Sequence, residues 1–493
     1  MSLPDILKVA PQQTIDTMDV HTSILEPLVC NQNNARFQLE RRGILDINSC
    51  IQVGRIKIPG TGSAATEVCN CPIRAGCHAW IKSASLRVGA QTIATTDEYG
   101  KYATINRQFK SVEERCRKDG VLKGTVDGME PSWLANGQLQ PMNLEWGNND
   151  LGMPRFEGDT SPQLEITADE TTTAIFSIKL SELFPMMKGV QLPLYLMAEN
   201  LVIDITWQNS GLGFSYYSSS QGLGANNFAA SCPIATTQVA FLADYLSYND
   251  SKMGDMAAQA MSTEGLSLPY NDIILTTAAL PRMTALTGAG APPQRQTVNR
   301  DIGLSSRSVQ KIQWADVPNA TADFGGDWSL AHGQYVSRAF CGGSEWNMKI
   351  NDRLVFNRPV RNEAQQQYYL SQTAGGVDLQ VASCEYSFDQ TVDSVGTVIR
   401  PAFGVDNAGG SLSTVNGVNL NDPTFTGLSH YQGLDLTNPM SGAGVAVGVK
   451  PIILERTLFR ASTDFAQSAL TTYIWAQVGR MFVLNNGTVS VTE

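Results

Sequence analysis

Charge is scarce in this chain. Only 16% of its 493 residues are Asp, Glu, Lys or Arg, against roughly 25% in an average soluble protein. Ser, Thr, Asn, Gln and Gly fill the difference. That composition suits an all-β protein with many polar turns, or one whose surface is largely covered by partners. Basic charge is scarcer still: 35 Lys and Arg face 46 Asp and Glu, for a net charge of −11. Neutralising phosphates needs a Lys/Arg excess, so direct, sequence-specific nucleic-acid binding by the main body is not expected. Disorder is excluded, because 42% of the residues are apolar and aromatics are spread along the length.

Long apolar runs are missing as well. The best candidate, "GVQLPLYLMAENLVIDITW" from Gly189, is broken by Glu199, Asn200 and Asp204, so no membrane span is expected. The opening stretch places Asp5 and Lys8 inside its only apolar segment and does not read as a secretory signal. The nine cysteines are odd in number and scattered. An extracellular disulfide framework is normally even and regularly spaced, so reduced thiols and a cytosol-like folding compartment are expected.

Catalytic patterns are absent too. There is no Gly-x-Ser-x-Gly, no His-Glu-x-x-His and no phosphate-cradling Walker loop, and the four histidines (21, 78, 332 and 430) are isolated. Cys69, Cys71, Cys77 and His78 are the right atom types for zinc. Cys-x-Cys in a strand, however, points its sulfurs to opposite faces, so buried thiols are the better reading. Gly442, Gly444 and Gly448 loosely echo a dinucleotide loop but run into a strand rather than a helix, which reads as a flexible loop. Asp97-Glu98 and Glu113-Glu114 could serve as glycosidase acids, yet adjacent carboxylates on exposed segments are usually solvated surface. Tyr216-Tyr217 and Tyr368-Tyr369 could stack sugars or bases; core or interface packing is the commoner use. No catalytic, cofactor-binding or metal residue is therefore assigned, and no cofactor is expected.

What is present is strand after strand. A first series reads "ARFQLERRGILDI" (35–47), "CIQVGRIKI" (50–58), "AWIKSASLRV" (79–88), "AIFSIKL" (174–180), "LYLMAENLVIDITW" (194–207) and "TTQVAFLADYLSY" (236–248). A second reads "LSLPYNDIILTTAAL" (266–280), "RSVQKIQWADV" (307–317), "EWNMKI" (345–350), "LQVASCEYSF" (379–388), "PIILERTLF" (451–459) and "TTYIWAQVGRMFVL" (471–484). β-Branched and aromatic residues fill the segments, with Gly, Asn, Ser and Pro between them. A polar, small-residue stretch at 249–265 marks the boundary.

The two series share an order. The hairpin "SLRVGAQTI" (85–93) has a counterpart in "NMKINDRLVF" (347–356), with Val88 matching Ile350 at an offset of 262. A polar segment bearing aromatics follows each hairpin, at 97–111 and 358–372. Gly189-Val190 matches Gly444-Val445 at 255, and Thr236-Thr237 matches Thr471-Thr472 at 235. Falling offsets with fixed order argue for a duplicated β-sandwich. Eight or so strands with long glycine-rich loops, such as 208–235 and 389–445, suggest a jelly roll whose loops carry function or subunit contacts. The fold class expected is all-β: two tandem eight-stranded jelly-roll β-sandwiches with short helices in loops.

Several stretches resemble the double jelly-roll major capsid proteins. "LRVGAQTIATTDEYGKYATINRQF" is similar to the family's first-domain hairpin and following helical segment, with Gly89-Ala90 where a double glycine is usual. "MKINDRLVFNRPVRNEAQQQYYLSQ" resembles the second-domain hairpin. "LSELFPMMKGVQLPLYLMAENLVIDITW" resembles the segment closing the first domain, and "RRGILDINSCIQV" its first strand. The likeness covers residues 35 to 485 and is nearest to capsid proteins of virophages and polinton-like viruses. Giant algal virus proteins, whose Pro-Ser-Gly tail is missing here, and adenovirus hexon are more distant.

The resemblance implies an N-terminal arm over 1–30, a first jelly roll over 31–250 and a second over 251–493. It implies a structural protein and not an enzyme: the subunit of a pseudo-hexagonal homotrimeric capsomer in an icosahedral DNA virus shell, assembled inside the infected host cell. Partners would be further copies of itself, neighbouring capsomers, and minor capsid and penton proteins. Two alternatives stand beside it, a β-sandwich carbohydrate-active enzyme and a glycan-binding, spike or penton-type protein.

Overall fold

The computed structural model describes residues 19–53, 67–107, 176–208, 239–280, 294–318, 344–373 and 431–492, less positions 32, 71–74, 362, 439, 441–442, 448–450 and 461–469, with brief pieces of the loops between. The first half contains β1 (Asp19–Leu25), β2 (Asn34–Gln38), β3 (Ile44–Leu45), β4 (Cys50–Val53), β5 (Ile81–Val88), β6 (Gln91–Asp97), α1 (Tyr99–Arg107), β7 (Phe176–Lys179), β8 (Leu192–Pro193), β9 (Leu201–Trp207) and β10 (Val239–Ser247). One sheet runs β7-β4-β10-β1, with β3 also beside β10 and β8 beside β3; the other runs β2-β9-β5-β6.

After α2 (Asp250–Ala260), the second half repeats this plan. It contains β11 (Leu266–Leu280), β12 (Gln294–Asp301), β13 (Ser306–Pro318), β14 (Ser344–Ile350), β15 (Arg353–Leu354), α3 (Glu363–Thr373), β16 (Tyr431–Asp435), β17 (Val445–Val447), β18 (Ile452–Arg460), β19 (Leu470–Asn485) and β20 (Thr488–Thr492). Its sheets run β16-β13-β19-β11 and β12-β18-β14-β15, with β17 beside β13 and β20 beside β19. The described strands of the first half recur in the second in the same chain order and with the same neighbours, β3 and β4 together standing where β13 does, and β20 is an addition. Both halves are two-sheet jelly rolls, as expected. Among the described residues the two sheets hold eleven strands in the first half, with Val29–Cys30 beside β2, and ten in the second, several only two residues long, where eight each were expected.

The local causes are simple. In β9, Leu201, Ile203, Ile205 and Trp207 alternate inward at the strand period of two, and β10 alternates likewise. Burying each such side chain is worth roughly 1.5–3 kcal/mol. Both hairpin turns use positive φ: Gly89 at +55°, and Asn351 and Asp352 at +50° and +64°, the backbone a two-residue turn with right-handed strands demands. Val88 and Ile350 each end the first strand of their hairpin, and both are buried.

Glycine also turns the chain from one sheet to the other in each half. Gly43 (φ +58°) stands between β2 and β3, and Gly303 (φ +68°) between β12 and β13. A Cβ on Gly43 would lie 2.8 Å from the Leu246 carbonyl oxygen. The segment 35–47, expected as one strand, is therefore two short strands in different sheets.

Other expectations change at the ends of elements. Residues 76–80 and 194–196 form short 3-10 turns ahead of β5 and β9. The return strand after Asp352 is only Arg353–Leu354, and Leu354 and Val355 are exposed. The boundary stretch at 249–265 forms α2, capped where the Asn249 side chain accepts from the Lys252 backbone N–H at 3.1 Å. Within the stretch expected as an arm, Asp19–Leu25 pair along their whole length with β10. Residues 1–18 and 379–388 lie outside the described residues.

The second roll has a core of its own around Val309, Trp314, Trp346 and Leu454, and the core of the first roll extends across the seam into the second. Leu266, Tyr270, Phe482, Leu484 and Val489 of the second half pack into the same apolar cluster as Phe37, Leu86 and Ile203 of the first. A further, smaller cluster joins Tyr102 and Ile105 of α1 to Ile273, Leu370 and Trp475. The Tyr270 hydroxyl donates to the Ile93 carbonyl at 2.8 Å, and the Ala198 N–H to the Gly487 carbonyl at 2.9 Å. Apolar packing across the seam opposes the relative motion expected of two loosely joined domains.

Candidate functional site at the seam

The chemistry-bearing residues singled out by sequence do not converge. Cys69 sits on a short strand, Glu67–Asn70, paired with strands at Gln163–Glu165 and Ser215–Ser218. Cys71 lies outside the described residues. Cys77 and His78 are buried in the turn before β5, where His78 Nδ1 and the Tyr99 hydroxyl are 2.8 Å apart. Among the described residues no group of three or more His, Cys, Asp or Glu side chains could hold a metal. His21, on β1, hydrogen-bonds through Nδ1 with Arg42 Nη2 at 2.7 Å.

Gly444 leads into β17 and lies so close to β13 that a Cβ would come within 2.3 Å of the Val309 carbonyl oxygen. Gly442 and Gly448 are outside the described residues.

The carboxylate pair divides its work. Asp97 is exposed at the end of β6, where partial burial and then the Glu98 charge raise its pKa. Glu98 is not solvated surface but the ion-pair partner of Lys101, whose side chain is only 5% exposed. The Lys101 ammonium also stands 4.6 Å from the centre of the Tyr473 ring, a cation–π contact across the seam. Burial lowers the Lys101 pKa and the Glu98 charge opposes that. Tyr369 packs on Phe356 at 4.7 Å between ring centroids and on Trp346 at 6.1 Å, while Tyr368 is exposed. Tyr216 and Tyr217 lie on the strand Ser215–Ser218. His332, His430, Glu113 and Glu114 lie outside the described residues.

The seam opens on one side into a cleft of about 820 Å³, lined from the first roll by α1 and the short helical turns after β7, and from the second by β11, β13, α3 and β19. Its walls carry Arg107, Lys110 and Lys188 on one side and Lys311 and Arg480 on the other, above an aromatic base that includes Tyr102 and Trp475. Glu182 accepts from Lys110 Nζ at 2.9 Å and also pairs with Lys123. Burial works to raise the Glu182 pKa, but Lys123, His78 and Lys110 overcome it and hold the carboxyl well below the usual range. Arg480 pairs with Asp272, yet burial outweighs that partner and lifts the Asp272 pKa to about 6. Lys311 donates to the Thr373 carbonyl at 2.5 Å and lies 3.7 Å from Asp435. Lys188 has no hydrogen-bond or ion-pair partner among the described residues. Burial lowers its pKa, Glu182 opposes this, and Lys110 and Lys311 add to it. Among the described residues the cleft brings together ion pairs and does not set a nucleophile against a base.

Sequence reading missed this cleft because its walls come from segments far apart in the chain, none with a motif of its own. A different surface feature was also hidden. Val20, Ile24, Leu28 and Val29 are exposed on and beside β1, a strand whose outer edge has no partner among the described residues. No described helix is long and apolar enough to cross a membrane.

No protein-family model and no curated protein matches this chain. Solved structures do. A chain of the Sputnik virophage, determined by cryo-EM at 3.5 Å resolution, is 10% identical, with a TM-score of 0.54 over 96% of this chain and 88% of that one. The crystal structure of the mavirus major capsid protein is 9% identical, with a TM-score of 0.51 over 95% of this chain and 89% of that one. The fold is thus the double jelly roll found in those virus proteins.

Proposed function

We propose that this protein is a major capsid protein, the subunit of a homotrimeric capsomer in an icosahedral DNA virus shell. The observation that carries the reading is the fold: two jelly rolls of one plan, in an arrangement shared with the mavirus major capsid protein over nearly the whole chain. Three such chains supply six similar barrels around a threefold axis, a near-hexagonal tile. A tile must be stiff, and the apolar seam supports that need. The open edge of β1, with Val20 and Ile24 exposed on it, suits contact with a further copy.

In this reading the first jelly roll runs over 31–250 with β1 as an added edge strand from the arm, and the second over 251–493. Minor capsid and penton proteins would be met at the capsomer's rim and at the vertices, the location is the virion shell, and assembly takes place inside the infected cell. No side chain need perform catalysis. Of the carboxylates that suggested a carbohydrate-active enzyme, Glu98 is committed to Lys101, and Glu113 and Glu114 lie outside the described residues. Light scattering on the purified protein tests the reading. A particle of three 53.4 kDa chains is expected, and a stable monomer across the micromolar range would refute it.

A further inference from the structure

We infer that two exposed apolar patches at opposite ends of the chain's plan are the two halves of one joint. The joint closes head to tail between copies and repeats the contact that the jelly rolls make inside each chain. This inference rests on the capsomer reading and assigns its contact surfaces.

Inside the chain, the first roll presents β6, the return strand of its hairpin, and α1, the helix that follows. The second roll receives them on its edge strand β11 and the neighbouring β19. The Tyr270 hydroxyl of β11 donates to the Ile93 carbonyl of β6. Tyr102 of α1 packs on Trp475 of β19 with ring centroids 6.2 Å apart, and Lys101 stands over Tyr473. Ile474 and Ala476 point into the second roll's own core, so Tyr473 and Trp475 lie on the outward face of that sheet, and it is this face that α1 covers.

Each roll has the means both to present and to receive, and the seam uses one surface of each. The second roll's presenting surface is β15 and α3, where Leu354, Tyr368 and the adjoining Val355 are exposed. Tyr368 meets Tyr369 at 5.3 Å between ring centroids and Tyr369 meets Phe356 at 4.7 Å, so strand and helix form one patch. Counted from the matching turns, Val355 stands where Ile93 does, and Ile93 is fully buried. The first roll's receiving surface is β1 and β10, paired as β11 and β19 are. Phe241, Ala243 and Tyr245 face the core. That leaves Ile24, opposite Leu242, and Val20, opposite Leu246, on the outward face. Leu28 and Val29, just beyond β1, are exposed as well.

Among the described residues nine large apolar side chains are exposed, and seven of them belong to these two surfaces, which marks both as sites of contact. Their charges are complementary. Residues 19–29 carry Asp19 and Glu26 and no Lys or Arg, while residues 353–361 carry Arg353, Arg358 and Arg361 and no Asp or Glu. The occupant of each patch is therefore the other patch on a second copy of this chain. Two unlike surfaces that fit each other make a heterologous joint, the kind that generates rings. When three chains join through a repeat of the internal contact, six rolls stand in one ring.

Ile24→Asp and Leu354→Asp test the joint, by light scattering and Tm on the purified full chain. Ile24 is 71% exposed and Leu354 51%, so each variant should fold with a Tm near that of a single parent chain. Each should have the mass of one chain where the parent has that of three. Val20→Asp and Tyr368→Asp should repeat the pair of results. Met261→Asp, equally exposed but beyond the end of α2 and outside both patches, should keep the three-chain mass. Mixed in equal amounts, Ile24→Asp and Leu354→Asp should form a dimer and nothing larger. The intact patch of each fits the intact patch of the other, and the two spoiled patches cannot close the ring. Dimers of either variant alone would show a patch that pairs with its own kind and would overturn the joint. A mixture no heavier than its components, or equal loss in Met261→Asp, would overturn it too. A trimeric parent with trimeric variants would sink this inference and leave the capsomer reading standing, whereas a monomeric parent would sink both.

Discussion

The two jelly rolls have the same strand order and different fasteners. In the first, the sheets are joined by apolar side chains: Phe37 on β2 meets Phe241 on β10 with ring centroids 5.9 Å apart. In the second, Trp314 on β13 meets Trp346 on β14 edge-on at 5.0 Å, and a buried ion pair crosses between the sheets beside it. Arg456 of β18 donates through Nη1 and Nη2 to both Asp316 oxygens of β13, at 2.9 and 2.5 Å, and the Thr472 hydroxyl of β19 donates to Asp316 at 2.6 Å. These Arg and Asp side chains are 3% and 1% exposed. The two halves have in common what topology needs, turns and alternation, and differ in what fills their cores. Sandwich architecture asks only that inward residues fill space and satisfy their polar atoms.

The largest effect should come from breaking what the halves share. Val88→Asp and Ile350→Asp each put an unpaired charge into a core at matching strand ends. Both should abolish soluble, assembled protein, measured as recovery of folded particle after expression. Normal assembly of either variant would show that the hairpins are not equivalent core elements.

Breaking what only the second half has comes next. Asp316→Ala strands the Arg456 charge and should cost about 3–5 kcal/mol, read by chemical denaturation. Replacing both partners together by apolar residues of similar size should cost far less. If the single and double variants lose the same amount, the pair is not the fastener described here.

The two corner glycines separate strain from collision. Gly303→Ala meets open space and bears only the positive-φ penalty, about 1 kcal/mol. Gly43→Ala adds a contact with the Leu246 carbonyl and should cost more. Equal losses would mean that the first corner relaxes freely.

A pH effect belongs to the seam. Asp272 is raised in the folded chain to about 6, so the folded state holds the extra proton and the ionised form is the costly one. Its burden should be full above pH 6 and ease as pH falls, by about 1 kcal/mol between pH 7 and pH 5. Comparing the parent with Asp272→Asn across that window isolates the effect, and parallel stability curves would contradict it. The smallest effect is expected on the outer face of the first roll. There Asp204 bridges Arg36 and Arg87 in partial exposure, and Arg36→Ala should cost less than about 1 kcal/mol.

Much of this comparison was legible in the sequence. "LSLPYNDIILTTAAL" and "TTYIWAQVGRMFVL" read as strands because alternation and β-branched residues persist over many positions, and they form β11 and most of β19. The hairpin at 347–356 is legible through Asn351-Asp352 at its centre, because short polar side chains tolerate positive φ. Asn486-Gly487 obeys the same rule, at φ +49° and +79°, and closes the β19–β20 hairpin; that turn was missed. α2 was missed because its residues are small and polar, and its signal is one capping asparagine. The double role of 35–47 turned on Gly43, since period alone does not say which sheet a strand joins. The cleft and the Arg456–Asp316 pair were out of reach, because both unite residues more than a hundred positions apart, brought together only by the completed fold.

The central claim, one sandwich built twice and used six times, is tested most directly by a cryo-EM map of the purified particle. The account predicts six barrels around a threefold axis, two alternating kinds, with continuous density across the seam inside each chain. Two barrels in isolation, or a ring closed by any symmetry other than threefold, would contradict it.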